Sequence, residues 1–295
     1  MTNTNTHNTN WGMKLMDKSF IYDVMSIPTY TSNEFQLVGW IEQWADQRGI
    51  GHERDAFGNL YLTKGSISEG EYYPCLTSHL DTVQRPQEAF ANEGRRLDII
   101  TEKTSNGHLL RCDGFGIGAD CKSGVAICLA IMEQAEAAKC CFFVQEEAGC
   151  LGSKAMDAHQ LDAVGYVLGF DSPEHNRAAW SCCGTPLFDG KFFKNCLRDI
   201  CANYGLTNFY SEPPTDVMVI RQKNDIACTN FGNGGYKPHS PWEYCIAEEM
   251  DLAAQMGLAL VKQLGKQRFV CNRRTKAEDA QYLKTLGDNQ RVFAW

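Results

Sequence analysis

The chain has 295 residues, of which 43% are hydrophobic and 22% charged, enough to bury the core of one large α/β domain or two small ones. Its formal charge of −8 argues against nucleic acid as a partner, because binding a polyanion requires a basic surface. No apolar run is long enough to span a membrane, and the N-terminus has no apolar leader. We therefore expect a cytoplasmic protein that makes no membrane contact.

The predicted elements begin after a Thr/Asn-rich tail at residues 1–11, which we expect to be disordered. Thr31 and Glu34 have the spacing of a capping box. Apolar residues at helical spacing follow between positions 37 and 44 and predict a helix there. Strands are predicted in the next two segments, GNLYLTKG and YYPCLTSHL.

Strands and helices alternate along the rest of the chain. A loop-rich span near 84–118, with weak strand signals, is followed by these predicted elements: a helix after Gly124, a strand CCFFVQ, a helix near 152–160, a strand AVGYVLGF, a helix near 186–204, a helix opening at Thr215-Asp216, a strand DIACTNFG and a final helix over 253–264. Strands that are apolar on both faces and alternate with helices indicate an α/β fold. We predict a single domain with a mostly parallel central sheet between helix layers.

The fourteen cysteines do not indicate a zinc finger or a disulfide framework. Most lie inside apolar runs such as KCCFFV and AICLAIM, and no Cys-x-x-Cys pair occurs. Cysteine is among the most buried residue types, so we expect reduced thiols that fill the core.

Polar residues appear where the predicted strands end, which is where ligands bind in open α/β sheets. They are His79 and Asp81, Asp120, Glu146 and Glu147, Asp171, and His239. Any one of them alone would be an ordinary loop residue. Together they form a cluster of negative charge that cations must balance, and mixed His/carboxylate ligation suits zinc, or cobalt or manganese. Five ligands that share one carboxylate would make two adjacent metal sites.

Several stretches in this order resemble the dinuclear zinc exopeptidases, the superfamily that includes peptidase T and the bacterial leucyl aminopeptidases. The matching stretches are SIPTYTSNE, DAFGNLYLTKG, TSHLDTV, DGFGIGADCKSG, VQEEAGCLGS, GFDSP and GGYKPHSPWE. The resemblance covers about residues 26–245 and is strongest to peptidase T-like members. It implies that residues 12–265 form the catalytic domain and that residues 266–295 are a C-terminal extension.

The resemblance assigns a role to each residue of the cluster. Asp120 corresponds to the bridging ligand, with His79 and Asp171 on one metal and Glu147 and His239 on the other. It implies a cis peptide after Asp120, where Cys121 stands at a position that is often Asp or Asn in the family. We do not assign Cys121 as a ligand.

Two further carboxylates correspond to residues outside the metal shell. Asp81 corresponds to the partner that orients the His79 ring, and Glu146 corresponds to the general base. Because successive side chains of a strand point in opposite directions, we expect the adjacent Glu146 and Glu147 to differ in their contact with the metals.

A lid domain is common in peptidase T-like members, but the interval from Asp171 to His239 is too short for one. Such a lid would supply an oxyanion donor. Tyr210 is our candidate replacement, because a phenol can donate to a developing oxyanion. A buried strand tyrosine is the alternative interpretation of the same residue.

The function predicted is that of a metal-dependent exopeptidase, an aminopeptidase or small-peptide hydrolase with two divalent metal ions. Three alternatives remain open at this point. The same site would suit an N-acyl amino-acid deacylase or a glutaminyl cyclase-like enzyme, and a relative that has lost turnover would act as a binding protein. The expected partner is accordingly a small peptide or an N-acyl amino acid.

Overall fold

Strands and helices alternate along residues 14–271, the part of the chain that the computed structural model describes. The strands are β1 Gly51–Arg54, β2 Leu60–Lys64, β3 Tyr73–His79, β4 Ile100–Thr104, β5 Gly107–Arg111, β6 Ala138–Phe143, β7 Val164–Ser172, β8 Arg177–Cys182, β9 Thr185–Pro186, β10 Asn208–Glu212, β11 Cys228–Gly232, β12 Gly235–Tyr236 and β13 Tyr244–Ile246. The helices are α1 Lys18–Met25, α2 Phe35–Asp46, α3 Pro86–Asn92, α4 Ala119–Gln134, α5 Leu151–Ala155, α6 Gly190–Phe192, α7 Arg198–Asn203, α8 Asp216–Lys223 and α9 Ala247–Leu264.

The larger sheet has the strand order β1-β2-β6-β3-β7-β11-β8-β10, and β9 pairs with β8. Its centre, β6-β3-β7-β11, is parallel throughout. Antiparallel pairs flank this centre, β1 with β2 and β2 with β6 on one side and β11 with β8 on the other. The predicted parallel sheet is therefore confirmed, with mixed pairing towards its edges.

Helices cover both faces of this sheet, as the neighbours of β7 show. A side chain at Gly169 would meet Val217 of α8, whereas the ring of the next residue, Phe170, lies against Gly257 of α9. Because successive residues of a strand point to opposite faces, α8 and α9 lie on opposite sides of the sheet. The long helix α4 packs against α9 as well as against β3 and β7. The α/β sandwich of a single domain is thus confirmed.

A second, four-stranded antiparallel sheet was not predicted from the sequence. It has the order β12-β13-β5-β4 and draws two of its strands from the span 84–118, where the sequence shows only weak strand signals. Its strands β12 and β13 are only two and three residues long, too short to show alternation of polar and apolar residues. The strands β8 and β10 of the larger sheet also escaped prediction.

The predicted helix over residues 37–44 is present as α2, but the predicted capping box is wrong. Glu34 is itself the N-cap residue, and it makes no side-chain cap hydrogen bond. Its carboxylate accepts hydrogen bonds from the backbone N–H groups of Ser32 and Gln145 instead. The hydroxyl of Thr31 donates to Asp81 at 2.8 Å. Both side chains thus serve tertiary contacts rather than the helix end.

The core is one continuous hydrophobic cluster in which most of the cysteines lie. None of the fourteen thiols forms a disulfide, and twelve are buried. Cys75 and Cys141 face each other across β3 and β6 with their sulfur atoms 3.6 Å apart. The prediction of reduced, core-filling cysteines agrees with this arrangement.

Most of the segment from Asp171 to His239 belongs to the larger sheet and its helices, to which it contributes β8–β11 and α6–α8. Its last strand, β12, belongs to the smaller sheet. Residues 266–271 pack on the same domain, where the carbonyl of Phe269 accepts from Ala227 and its N–H donates to Gly165. The proposed tail at residues 1–11 and most of the C-terminal extension lie outside the described residues. Among residues 14–271, no helix combines the length and apolar character that a membrane span requires.

Candidate metal centre

The polar residues singled out from the sequence gather at one edge of the larger sheet. His79 is the last residue of β3, and Asp171 stands one residue before the end of β7. Because β3, β6 and β7 are parallel neighbours, their carboxyl ends meet at this edge. Asp120 lies at the start of α4, and His239 lies in the loop between β12 and β13.

Asp120 joins two groups of side chains through its two carboxylate oxygens. Its Oδ1 lies 3.0 Å from Nε2 of His79, and its Oδ2 lies 3.0 Å from Nε2 of His239. His79 Nε2 also lies 3.1 Å from Asp171, and His239 Nε2 lies 2.8 Å from Glu147. Each group therefore offers an imidazole and carboxylates to one point in space, and either could hold a metal ion.

Both imidazoles of this cluster have a raised pKa, so each holds a proton at a position where a metal cation would bind. Hydrogen bonds to Asp120 and Glu147 raise the pKa of His239 to about 10. Burial works to lower the pKa of His79, but the charge of Asp171 and hydrogen bonds to Asp120, Asp171 and Asp81 raise it well above its ordinary value. Carboxylates that stabilise an imidazolium will equally stabilise a metal cation, which binds neutral imidazole and displaces the proton. The donor set therefore fits divalent metals.

Asp81 is buried and supports both halves of the site. Its Oδ1 lies 3.3 Å from Nδ1 of His79, on the side of the ring that faces away from Asp120. The same carboxylate accepts hydrogen bonds from the backbone N–H groups of Glu146 and Glu147 at 2.9 and 3.2 Å. One side chain thus orients the buried imidazole and fixes the turn that carries the two glutamates.

The two glutamates lie in a turn rather than on a strand, so our argument from strand alternation was wrong. β6 ends at Phe143, and Gln145 has a left-handed φ of 55°. Their side chains nevertheless differ in environment. Glu147 contacts His239, whereas Oε1 of Glu146 accepts a hydrogen bond from the thiol of Cys150 at 3.3 Å. The roles that the resemblance assigns to them remain predictions.

Glu146 is a carboxyl group with an unusual proton affinity. Burial raises its pKa to about 9, and the nearby negative charges of Asp171, Asp216 and Glu147 act in the same direction. Asp216 opens α8 and is itself buried, which raises its pKa to about 7. Without metal ions this carboxyl therefore holds its proton at neutral pH, and the positive charge of bound metal ions would lower its pKa towards the carboxylate form that a general base requires.

Glu243 is a supporting residue that sequence reasoning missed. Its two carboxylate oxygens accept hydrogen bonds from the backbone N–H groups of Gly118 and Asp120, at 2.7 and 3.0 Å. Gly118 has a φ of +76°, and an added side chain there would lie 2.7 Å from Thr82. The loop before α4 is therefore held by one buried carboxylate on the residue that precedes β13. No local sequence pattern marks such a long-range role.

Lys122 anchors the other side of the same loop. It is fully buried, and its ammonium donates to the backbone carbonyls of Met25 and Ile27 at 2.7 and 2.8 Å. The peptide bond between Asp120 and Cys121 is cis, as the resemblance implies. The Cys121 sulfur lies near His79 and Asp171 but donates to the carbonyl of Phe170 at 2.9 Å, so its proton is already engaged.

Tyr210 is not brought to the cluster. It lies on the edge strand β10, with β11 and β8 between it and β7. Its ring is 43% exposed, and the Arg177 guanidinium lies 4.5 Å from the ring centroid. Tyr210 is therefore not placed to donate a hydrogen bond at the cluster, and it is not buried either. Apart from His79 and His239, the described histidines also lie outside the cluster: His52, His108, His159 and His175.

Among known protein families, no family model matches the sequence. A curated relative is the cytosol non-specific dipeptidase of Escherichia coli, which is 26% identical over 167 residues. The match covers 55% of this chain but only 34% of that protein, so the chain spans about a third of the relative's length.

Solved structures agree with this chain over most of its length. Aminopeptidase PepT from Bacillus cereus matches with a TM-score of 0.69 at 14% identity, covering 85% of this chain and 99% of that one. The fold is therefore that of this aminopeptidase. A tripeptidase from Staphylococcus aureus gives 0.66 at 16% identity over 84% and 98% of the two chains. An aminopeptidase from Desulfurococcus kamchatkensis gives 0.63 at 14% identity over 85% and 94%.

Proposed function

We propose that this protein is a metal-dependent exopeptidase, an aminopeptidase or small-peptide hydrolase that acts in the cytoplasm. The observation that carries the proposal is Asp120, whose two oxygens face two separate His/carboxylate groups 3.0 Å away on either side. Glu146 stands beside this arrangement with a raised pKa. The relationship to a dipeptidase and the fold shared with aminopeptidases and a tripeptidase support peptides as the substrate class.

Two divalent metal ions fit the donor set, and zinc fits best, with cobalt or manganese as substitutes. His79, Asp120 and Asp171 would hold one ion, and Asp120, Glu147 and His239 the other. Metal ions in such a pair polarise a carbonyl oxygen and lower the pKa of bound water.

The protein's own groups would carry the proton transfers of peptide hydrolysis. Glu146, as its carboxylate, would take a proton from the attacking water and then deliver it to the leaving amine. Asp81 would keep the His79 ring and the Glu146 turn in register, since displacing such groups by about an ångström loses much of the rate.

Activity of the reloaded protein tests the proposal. The protein is stripped with a chelator, reloaded with Zn²⁺, Co²⁺ or Mn²⁺, and assayed on dipeptides, tripeptides, aminoacyl anilides and N-acyl amino acids. We expect peptide or anilide cleavage that the chelator abolishes and the metals restore. Full activity after demetallation would exclude a metal-dependent reaction, and turnover confined to N-acyl amino acids would identify a deacylase instead.

A further inference from the structure

Two short segments that adjoin proposed metal ligands are paired with each other. One follows Asp171 and spans residues 172–175, and the other, residues 233–236, precedes His239. Three backbone hydrogen bonds of 3.0, 2.8 and 2.7 Å join them, from the N–H groups of Asn233, Gly234 and Glu174 to the carbonyls of Ser172, Glu174 and Gly235. Asp171 and His239 belong to different groups of the candidate metal centre, so this pairing links the two groups.

Glu249 lies where the two segments meet. It is the third residue of α9 and is only 7% exposed. Its Oε2 accepts a hydrogen bond from the hydroxyl of Tyr236 at 2.6 Å and lies 3.1 Å from Nδ1 of His175. Tyr236 ends one segment and His175 ends the other. A single buried oxygen therefore fastens one side chain from each segment to the helix.

Tyr236 is held by its ring as well as by its hydroxyl. The ring is stacked on that of Tyr244, with centroids 5.0 Å apart and planes 8° apart. The two residues are cross-strand partners in β12 and β13. Burial and the hydrogen bond to Glu249 raise the pKa of Tyr236, so its phenol stays neutral and donates. The stacked pair closes the base of the loop that carries His239.

This loop has a backbone conformation that needs support. Lys237 and His239 have left-handed φ values of 53° and 58°. Such values are sterically unfavourable for residues other than glycine, and they persist where surrounding contacts impose them. Glu243 anchors the end of the loop to the backbone of Asp120, and Tyr236 anchors its start. The position of His239 thus depends on what holds these two ends.

We infer that Glu249 is a positioning residue for His239. By joining Tyr236 to His175, it holds the loop that presents His239 in a fixed place relative to Asp171. The inference rests on the proposed function and adds a residue that acts on the metal centre through others. It predicts that Glu249 sets the affinity for the metal ion at His239 and has little influence on the ion at the other histidine of the cluster.

Zinc titration of demetallated variants tests this role. Glu249→Met keeps an unbranched side chain of similar length but removes the acceptor oxygen, and Tyr236→Phe removes the donor but keeps the stacked ring. We expect each variant to lower the Zn²⁺ affinity at His239 by about tenfold, the lower end of the range for residues that support a ligand. The affinity at His79 should change little. His239→Ala identifies which of the two binding steps belongs to His239.

Two matched variants separate positioning from a general loss of stability. Glu249→Gln retains a carbonyl oxygen that can accept hydrogen bonds from both partners, so its affinity at His239 should remain near that of the wild-type protein. Glu248→Met removes the neighbouring carboxylate of α9, which contacts the backbone N–H and the ring of His108 instead. It should leave both affinities unchanged. Thermal unfolding is measured on every variant.

The outcomes distinguish this inference from the proposed function, because titration does not depend on turnover. Weakening confined to the His239 site, with recovery in Glu249→Gln, is the expected result. Equal weakening of both sites together with a lower Tm would show that Glu249 only stabilises the fold. Unchanged affinity in Glu249→Met and Tyr236→Phe would overturn the inference alone. Wild-type protein that binds no ion at His239 would contradict the proposed metal centre itself, and the inference with it.

Discussion

The two halves of the candidate metal centre share Asp120 but differ in their surroundings. The half formed by His79 and Asp171 is enclosed, with side-chain exposures of 1% and 11%. In the other half, Glu147 is 7% exposed but His239 is 52% exposed. His79 has Asp81 behind its ring, whereas His239 sits in a loop with a left-handed φ of 58°.

This difference separates a preorganised site from an accessible one. Strand ends and a buried carboxylate hold the inner ligands, so a metal ion bound there gains from fixed geometry and a low local dielectric. The outer imidazole is solvated on half of its surface and is held by a loop. We therefore expect the inner ion to bind more tightly and the outer ion to exchange.

The largest effect should come from removing a ligand from each half in turn. His79→Ala should lose the inner ion and with it most of the activity. The affinity for that ion should fall by more than about 10- to 100-fold, which is the loss typical of replacing a residue that only supports a ligand. His239→Ala should retain one tightly bound ion after dialysis. Elemental analysis and metal titration of both variants measure the difference.

Equal metal content in His79→Ala and His239→Ala would show that the two halves do not differ in affinity. Retention of two ions by both variants would show that the ligands are wrongly assigned. Wild-type protein dialysed in parallel provides the reference.

The next largest effect concerns the two adjacent glutamates. Glu146→Gln keeps the shape of the side chain but removes the basic oxygen, so kcat should fall by about 100-fold or more with metal content retained. Glu147→Gln should instead weaken the outer ion, because an amide is a poorer ligand than a carboxylate. If Glu146→Gln turns over normally, or if it alone sheds a metal, the two roles must be exchanged or abandoned.

A smaller effect is expected from Asp81. Asp81→Asn keeps an oxygen for one of the two backbone N–H groups, those of Glu146 and Glu147, and removes the charge next to His79. Inner-site affinity should fall by about 10- to 100-fold, while the outer site changes less. Titration of demetallated protein with Zn²⁺ measures both affinities, and an equal loss at both sites would contradict the distinction between them.

The smallest effect should come from Cys150, whose thiol donates to Glu146. Cys150→Ala removes this weak donor. We expect kcat to fall by about threefold, because a thiol forms a weaker hydrogen bond than an N–H or O–H group. Cys150→Ser supplies a hydroxyl in its place and should recover the rate with KM unchanged. A fall in both variants together with lost thermal stability would indicate that the residue only fills space.

The inner half of the site was more predictable than the support around it. His79 and Asp171 follow long apolar strands, and strand ends are readable from the sequence because burial imposes a pattern on the residues before them. Glu243 has no such signal, since it acts by accepting two N–H groups more than a hundred residues earlier.

The same limit applies to the fold. The central strands and the helices α2, α4 and α9 were visible as periodic patterns, whereas the short strands of the small sheet were not. Thr31 and Glu34 illustrate the opposite error. Their spacing fits a capping box, but Thr31 donates a hydrogen bond to Asp81 and Glu34 accepts one from the N–H of Gln145, so neither side chain caps the helix.

The contacts of Lys122 make formation of the Asp120 loop depend on a segment that lies far away in the sequence. Its ammonium binds carbonyls 97 and 95 residues earlier in the chain, so closing these contacts requires a long loop and is slow compared with helix formation. We therefore expect the loop that presents Asp120 to reach its final position only after the segment around Ile27 has docked. Recovery of metal binding on refolding should therefore lag behind recovery of helix content, and weakening that segment should lengthen the lag.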